Sequence, residues 1–222
     1  MTLCYTVSEE VHILPKEIQL VDTSPSVQHL CNCDKELSII IKELGPLSYS
    51  VHQDGYSFLV HEIIEQMLST KTANSIFSRF SALCNNTITI DTVSNLSSEE
   101  INSVGISRAK VEYIKALTLH LSNNPDFLNS LSSLSNEHVI SALKSIHGIG
   151  NWTAKMYLIF VLDRQDVIPI EDSAFIKSYR LLRNNMFLNK DQILEDCSKW
   201  SPYSSIAVRY LYHALDSKLF NS

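Results

Sequence analysis

Leu143-Lys144-Ser145-Ile146-His147-Gly148-Ile149-Gly150-Asn151-Trp152-Thr153-Ala154 is flanked by helical patterns on both sides. Upstream, Ser135 caps a run whose apolar positions are Val139, Ile140 and Leu143; downstream the helical spacing resumes over about 151–162. Residues 147–150 therefore reverse the chain in a tight turn. Two glycines two residues apart, Gly148 and Gly150, permit positive φ and let another backbone come close. The amides that follow open a helix, lack intrahelical partners and sit at the positive end of its dipole, so they suit a phosphate. A Gly-x-Gly turn on its own more often only packs two helices.

Outward from the turn, the apolar spacing from Lys35 onward is mostly helical. Phe58, Leu59, Ile63, Ile64, Met67 and Leu68 fit one face of a helix over 56–69, and Ile76, Phe77, Phe80 and Leu83 continue in the next. Ser97-Ser98-Glu99-Glu100 reads as a capping box for a short helix ending near Val104-Gly105, and Ser107 starts another. Further helices are predicted over 172–183, 190–199 and 202–219, the last opening with Pro202. Two alternating pieces, 11–14 and 18–21, suggest short strands or extended chain. The expectation is an all-α protein of nine or ten short helices.

Composition agrees. The 222 residues are 45% hydrophobic and 19% charged, with only five glycines and six prolines, which suits one large helical domain or two small intertwined ones. Five cysteines, at 4, 31, 33, 84 and 197, form no disulfide framework, and Cys31-Asn32-Cys33 is too tight for the usual zinc spacing. They are expected to be reduced thiols. No secretion signal and no run approaching the roughly 18 apolar residues of a membrane span are seen, so a soluble, intracellular protein is expected. A net charge of −6 argues at first sight against nucleic acid. The acidity lies mainly in residues 1–55, however, and 144–209 carries nine Lys and Arg against seven Asp and Glu. A modest local basic face is left available.

Ile146 to Ala154 resembles the helix-hairpin-helix DNA glycosylase superfamily, and within it the 3-methyladenine DNA glycosylase II branch. That family shows an apolar residue, Pro, Gly, Ile or Val, Gly, a variable residue, Trp, Thr and Ala here; His147 replaces the Pro. Asp166-Val167-Ile168-Pro169-Ile170-Glu171-Asp172 resembles its D-x-F-x-x-x-D stretch, whose last Asp is catalytic. Glu65-Gln66-Met67-Leu68-Ser69 with Ala73, the segment from Leu96 to Lys110, and Trp200-Ser201-Pro202-Tyr203-Ser204-Ser205-Ile206-Ala207 are similar to three further family motifs in the same order.

The resemblance implies a two-lobed fold with the active-site cleft between lobes. Residues 56–171 would form one lobe, and 1–55 with 172–222 the other. It implies base excision repair: a monofunctional glycosylase cutting the N-glycosidic bond of alkylated purines such as 3-methyladenine and 7-methylguanine in damaged duplex DNA. Asp172 is the implied catalytic carboxylate, with Glu171 beside it as the ambiguity; in isolation an Asp there is most often a helix cap. Trp152 stands where the related glycosylase/lyases carry a Schiff-base Lys, and Lys155 one turn on is not that nucleophile. Trp152, Met156, Trp200 and Tyr203 are the implied base pocket, with core packing as the alternative for the aromatic residues. Met67, with Leu68, matches the family's intercalating wedge, although either is also an ordinary helix-core residue. His147, Gly148, Ile149, Gly150 and Thr153 would bind the DNA backbone. The carbonyls of Lys144, Ile146 and Ile149 would hold a monovalent cation, Na⁺ or K⁺. No catalytic cofactor is implied, and with only Cys197 near the C-terminus no iron–sulfur cluster either. A monomer is expected, in the cytoplasm or nucleoid of a bacterium or the nucleus of a eukaryote. Two rivals stand beside this reading: the same fold acting on deaminated or etheno bases, and a non-catalytic helix-hairpin-helix DNA-binding protein.

Overall fold

Polar side chains at the helix starts divide the chain into its elements. The computed structural model describes residues 17–221, so the predicted extended piece 11–14 and Cys4 lie outside the described residues. Strand β1 (Glu17–Leu20) leads to helices α1 (Pro25–Cys33) and α2 (Lys35–Leu44); β2 (Leu47–Ser50) then returns antiparallel to β1, pairing Leu47 with Leu20. This ribbon is the one departure from an all-helical chain among the described residues. Asp34 starts α2 by accepting the Leu37 amide at 3.1 Å.

Eight helices follow: α3 (Gly55–Glu65), α4 (Thr70–Leu83), α5 (Ile90–Ser94), α6 (Ser98–Ser103), α7 (Arg108–Asn123), α8 (Phe127–Ser130), α9 (Asn136–Lys144) and α10 (Asn151–Phe160). The predicted capping box is present: Ser97 Oγ accepts the Glu100 amide at 3.1 Å, and Glu100 Oε2 accepts the Ser97 amide at 2.7 Å. The chain closes with α11 (Ser173–Leu182), α12 (Lys190–Cys197) and α13 (Ser204–Asp216).

Two expectations are corrected. The single helix over 56–69 stops at Glu65, because Met67 takes a left-handed φ of +59° and Ser69 starts a new helix by accepting the Thr72 amide. Met67 and Leu68 therefore sit on an exposed turn and not on a helix face. Pro202 does not open α13: it follows Ser201 through a cis peptide, and Tyr203 is the residue that precedes the first helical position.

Hydrophobic burial divides in two. One core is built by α3 to α10 and includes Leu59, Ile63, Phe80, Ile114, Leu143 and Leu158. The other joins α1 and α2 to α11–α13 through Leu30, Leu37, Phe175, Tyr179, Trp200 and Leu211. Each fully buried Leu, Ile or Phe contributes about 1.5–3 kcal/mol. Arg209 of α13 ties the two together. Its guanidinium donates to the Ile159 carbonyl at 2.7 Å and lies 3.8 Å from the Tyr49 ring centre and 4.8 Å from that of Phe160. The site lies where the loop from α10 to α11 crosses from one core to the other.

Candidate active site and hairpin

Trp152 stands on the first turn of α10, and Asp172 immediately precedes α11. The loop between them folds back so that the two side chains meet. Asp172 Oδ1 accepts the Phe175 amide at 2.6 Å, and Oδ2 accepts Trp152 Nε1–H at 2.7 Å. Asp172 is thus a helix cap and something more, since the cap bond occupies one oxygen and leaves the other turned to the indole. Its negative charge faces two N–H donors and the positive end of α11. Among the described residues no Lys or Arg lies within 4.0 Å of its carboxylate. Its neighbour Glu171 is engaged elsewhere, taking Lys155 Nζ at 2.8 and 3.1 Å.

Tyr212 and Glu62 reach this place, and His61 stands behind Glu62. Tyr212, on α13, stacks on Phe160 with centroids 6.4 Å apart and planes 23° from parallel. Its hydroxyl is buried near Asp172 without a hydrogen bond of ordinary geometry. Burial, with the charges of Asp172, Glu62 and Glu65, pushes that phenol well above its ordinary value. Glu62 of α3 is a buried carboxylate; burial raises its pKa against the pull of His61, and Glu65 and Asp172 add to the rise. His61 Nδ1 lies 3.3 Å from Glu62 and 3.8 Å from Glu65. The Glu62 hydrogen bond holds His61 above its ordinary value despite burial. Glu62, His61, His52, Phe58, Phe77 and Phe160 line a pocket of about 370 Å³.

The hairpin is built by two different glycines. At Gly148, φ is +93°, and a Cβ there would stand 2.2 Å from the Tyr113 ring, so both backbone and space require glycine. At Gly150 nothing inside the protein does: φ is −104° and a Cβ would meet no atom within 4 Å. His147 is exposed, edge-on to Tyr113; Ile146 and Ile149 anchor the turn in the first core. Thr153 is buried. Among the described residues no backbone amide outside the helices donates to the carbonyls of Lys144 or Ile149, while that of Ile146 accepts the Ile149 amide at 3.1 Å. Carbonyls with unused lone pairs suit a hard cation.

Two expected pocket residues are buried in the cores, and a third packs elsewhere. Trp200 is fully enclosed in the second core, where Nε1–H donates to Asp34 Oδ2 at 2.8 Å. Met156 is 4% exposed and belongs to the first core, because one helical turn beyond Trp152 points inward there. Tyr203 is half-buried and packs edge-on against His29 at 5.5 Å. The aromatic that α13 brings to Asp172 is Tyr212. The sequence reading missed it, along with Glu62 and Phe160; an aromatic with a polar tip on the last helix was its only signal. Met67 is fully exposed and Leu68 is 38% exposed.

The chain matches the family described as HhH-GPD superfamily base excision DNA repair protein over residues 60–202. It is similar to DNA-3-methyladenine glycosylase 1 of Schizosaccharomyces pombe, with 30% identity over 191 residues covering 83% of this chain and 84% of that one. Among solved structures it resembles the DNA-3-methyladenine glycosidase of Bacillus halodurans, with a TM-score of 0.78 and 27% identity over 91% of this chain and 94% of that one. It also resembles the 3-methyladenine DNA glycosylase of S. pombe in complex with abasic DNA, with a TM-score of 0.79 and 27% identity over 87% of this chain and 97% of that one. A hairpin with an open glycine, a helix-capping carboxylate twenty residues beyond its indole partner, and these likenesses together place the chain in the HhH-GPD superfamily of base excision DNA repair proteins.

Proposed function

We propose that the protein is a monofunctional DNA glycosylase that hydrolyses the N-glycosidic bond of alkylated purines in damaged duplex DNA, acting as a monomer. The observation that carries this is Asp172: a half-buried carboxylate positioned by Phe175 N–H and Trp152 Nε1–H, with no cation paired to it among the described residues. As the base departs with the bonding electron pair, positive charge builds on the deoxyribose at C1′. A fixed carboxylate stabilises that charge and orients the water that adds to C1′, leaving a free base and an abasic sugar.

Alkylated purines of the 3-methyladenine and 7-methylguanine type are themselves cationic. The rings of Trp152 and Tyr212, with Glu62 and Glu65 nearby, make surroundings that favour a positive base over a neutral one. This supports alkylated purines ahead of etheno or deaminated bases. Monofunctional chemistry is supported by the indole at 152 and by Lys155, whose amine is bound to Glu171.

Met67, at the exposed turn with Leu68 beside it, is the wedge that fills the gap left by the flipped nucleotide. Gly150 keeps the hairpin open so that a phosphate can approach the first amides of α10. A monovalent cation held by the carbonyls of Lys144, Ile146 and Ile149 would supply positive charge towards that phosphate, and catalysis needs no other cofactor.

The test is a panel of duplexes carrying N-methylpurines, hypoxanthine or etheno-adenine, with released bases separated by chromatography and borohydride added to trap any Schiff base. Methylpurine release without a trapped adduct is expected. Release of neutral lesions alone would overturn the substrate class, and a trapped covalent complex would overturn the monofunctional assignment.

A further inference from the structure

The exposed turn carrying Met67 is held from two sides by side chains that the chemistry above does not use. Met67 has a left-handed φ of +59°, which a non-glycine residue keeps only when its surroundings impose it. Those surroundings are specific. Lys110 Nζ, reaching from α7, donates to the carbonyls of Ile64 at 2.8 Å and Gln66 at 2.5 Å, the last carbonyls before the turn. Its ammonium is partly desolvated there, which lowers its pKa. The Leu68 amide closes the turn onto Glu65 O at 2.9 Å. Gln66, next to Met67, sends Nε2–H to the Gly148 carbonyl at 3.0 Å and to Thr153 Oγ1 at 3.3 Å. Residues separated by more than eighty positions are thereby joined: the turn that presents Met67 and the hairpin that presents Gly150.

We propose that Gln66 and Lys110 are positioning residues that lock the Met67 turn onto the hairpin, so that the hairpin's grip on a DNA phosphate fixes where the wedge enters the stack. This rests on the glycosylase reading. The hairpin carbonyl of Gly148 serves as the reference point. Gln66 measures the turn against it, and Lys110 holds the backbone in the conformation that projects Met67 outward. Neither residue touches the reacting atoms. Their effect is on base extrusion, which must precede chemistry.

The experiment is a double-mutant cycle of Gln66→Leu and Met67→Ala, read by single-turnover excision and by 2-aminopurine fluorescence in a duplex, with thermal melting of each variant alongside. Gln66→Leu removes both donors without adding charge. In the Met67 background it is expected to slow excision of a paired lesion roughly tenfold, with the extrusion signal falling in parallel. In the Met67→Ala background the same change costs less than about twofold, because there is no wedge left to position. Opposite an abasic site, where no base pair needs breaking, Gln66→Leu recovers to within about twofold of wild type. Equal losses in both backgrounds, or on paired and unpaired lesions alike, would make Gln66 merely structural and overturn the proposal. An unchanged rate and extrusion signal would overturn it too. Lys110→Met, with the same readouts, is the second probe. Extrusion fluorescence is independent of chemistry, so a wild-type protein that excises nothing would sink the glycosylase reading while leaving this cycle readable.

Discussion

Trp152 and Trp200, the chain's two tryptophans, make the same bond in two places. Trp200 Nε1–H meets Asp34 at 2.8 Å and Trp152 Nε1–H meets Asp172 at 2.7 Å, and both aspartates also cap a helix. The surroundings differ. Asp34 is enclosed and bonded to Arg183, whose guanidinium also engages Glu36 and Asp196, while Lys199 stands 3.3 Å away. Burial alone would raise the Asp34 pKa, but Arg183, the Leu37 amide and Trp200 hold it well below the usual carboxylate range. Asp172 has the donors without the cations. A neutralised carboxylate can only hold the fold together, whereas an uncompensated one can stabilise a positive charge that appears beside it. Asp34 itself is saturated with partners. The region of Asp172 leaves a buried tyrosine hydroxyl unsatisfied and a methionine in a left-handed turn, as expected where local consistency gives way to function.

The comparison breaks most visibly at Arg183. Arg183→Met strands a buried carboxylate and is expected to destabilise the protein by about 3–5 kcal/mol, read by denaturant unfolding, with base release per folded molecule unchanged. Loss of activity beyond the unfolded fraction would mean that the two regions are not separate in role. Gly148→Ala comes next. A methyl group against Tyr113 at positive φ should cost about 2–4 kcal/mol, whereas Gly150→Ala should leave the melting temperature unchanged and weaken binding to any duplex. Equal stability losses at the two glycines would remove the distinction between a hairpin glycine that packs and one that admits a phosphate.

The paired Trp→Phe changes sharpen the contrast. Each removes one bond to a carboxylate, about 1.5–3 kcal/mol. In Trp200→Phe the loss should appear as stability. In Trp152→Phe it should appear as a rate lowered roughly 10- to 100-fold. The smallest effect is on pH. Because the folded-state pKa of Asp34 is depressed, its stabilisation is present above the ordinary carboxylate range near 4 and is lost as pH falls through the folded value. The acid limb of the melting curve should therefore steepen below about pH 4, and Arg183→Met, which leaves burial to raise the Asp34 pKa, should flatten it.

The hairpin turn was legible from local pattern, a capped helix followed by a two-glycine reversal, whereas Asp172 and Trp152 were picked out only by the family resemblance, and the structure brings those two side chains together. What local spacing does not record is which side of a helix faces which core. Trp200 and Tyr203 occupy a motif next to α13, yet that helix turns Tyr212 towards Asp172 and leaves Trp200 inside. Met156 was one turn from Trp152, and one turn was enough to bury it. Met67 and Leu68 continue the apolar spacing of α3 without a break, so periodicity extends the helix through them. The turn is held by Lys110, more than forty residues on, and by the bonds of Gln66 to Gly148 and Thr153, more than eighty residues on, which no local pattern records. Glu62 was unreadable for the same reason, since a carboxylate on an apolar face becomes informative only once its enclosure is seen.

Asp172→Asn tests the contrast between the two aspartates most directly. Asparagine caps a helix as well as aspartate does, so the fold is kept while the charge is removed. Wild-type and variant protein would be compared on N-methylated duplex DNA by single-turnover base release, with duplex affinity measured in parallel. Base release is expected to fall by about 10³-fold with affinity unchanged within about twofold. Equal release by the two proteins would contradict the assignment of Asp172 as the catalytic charge.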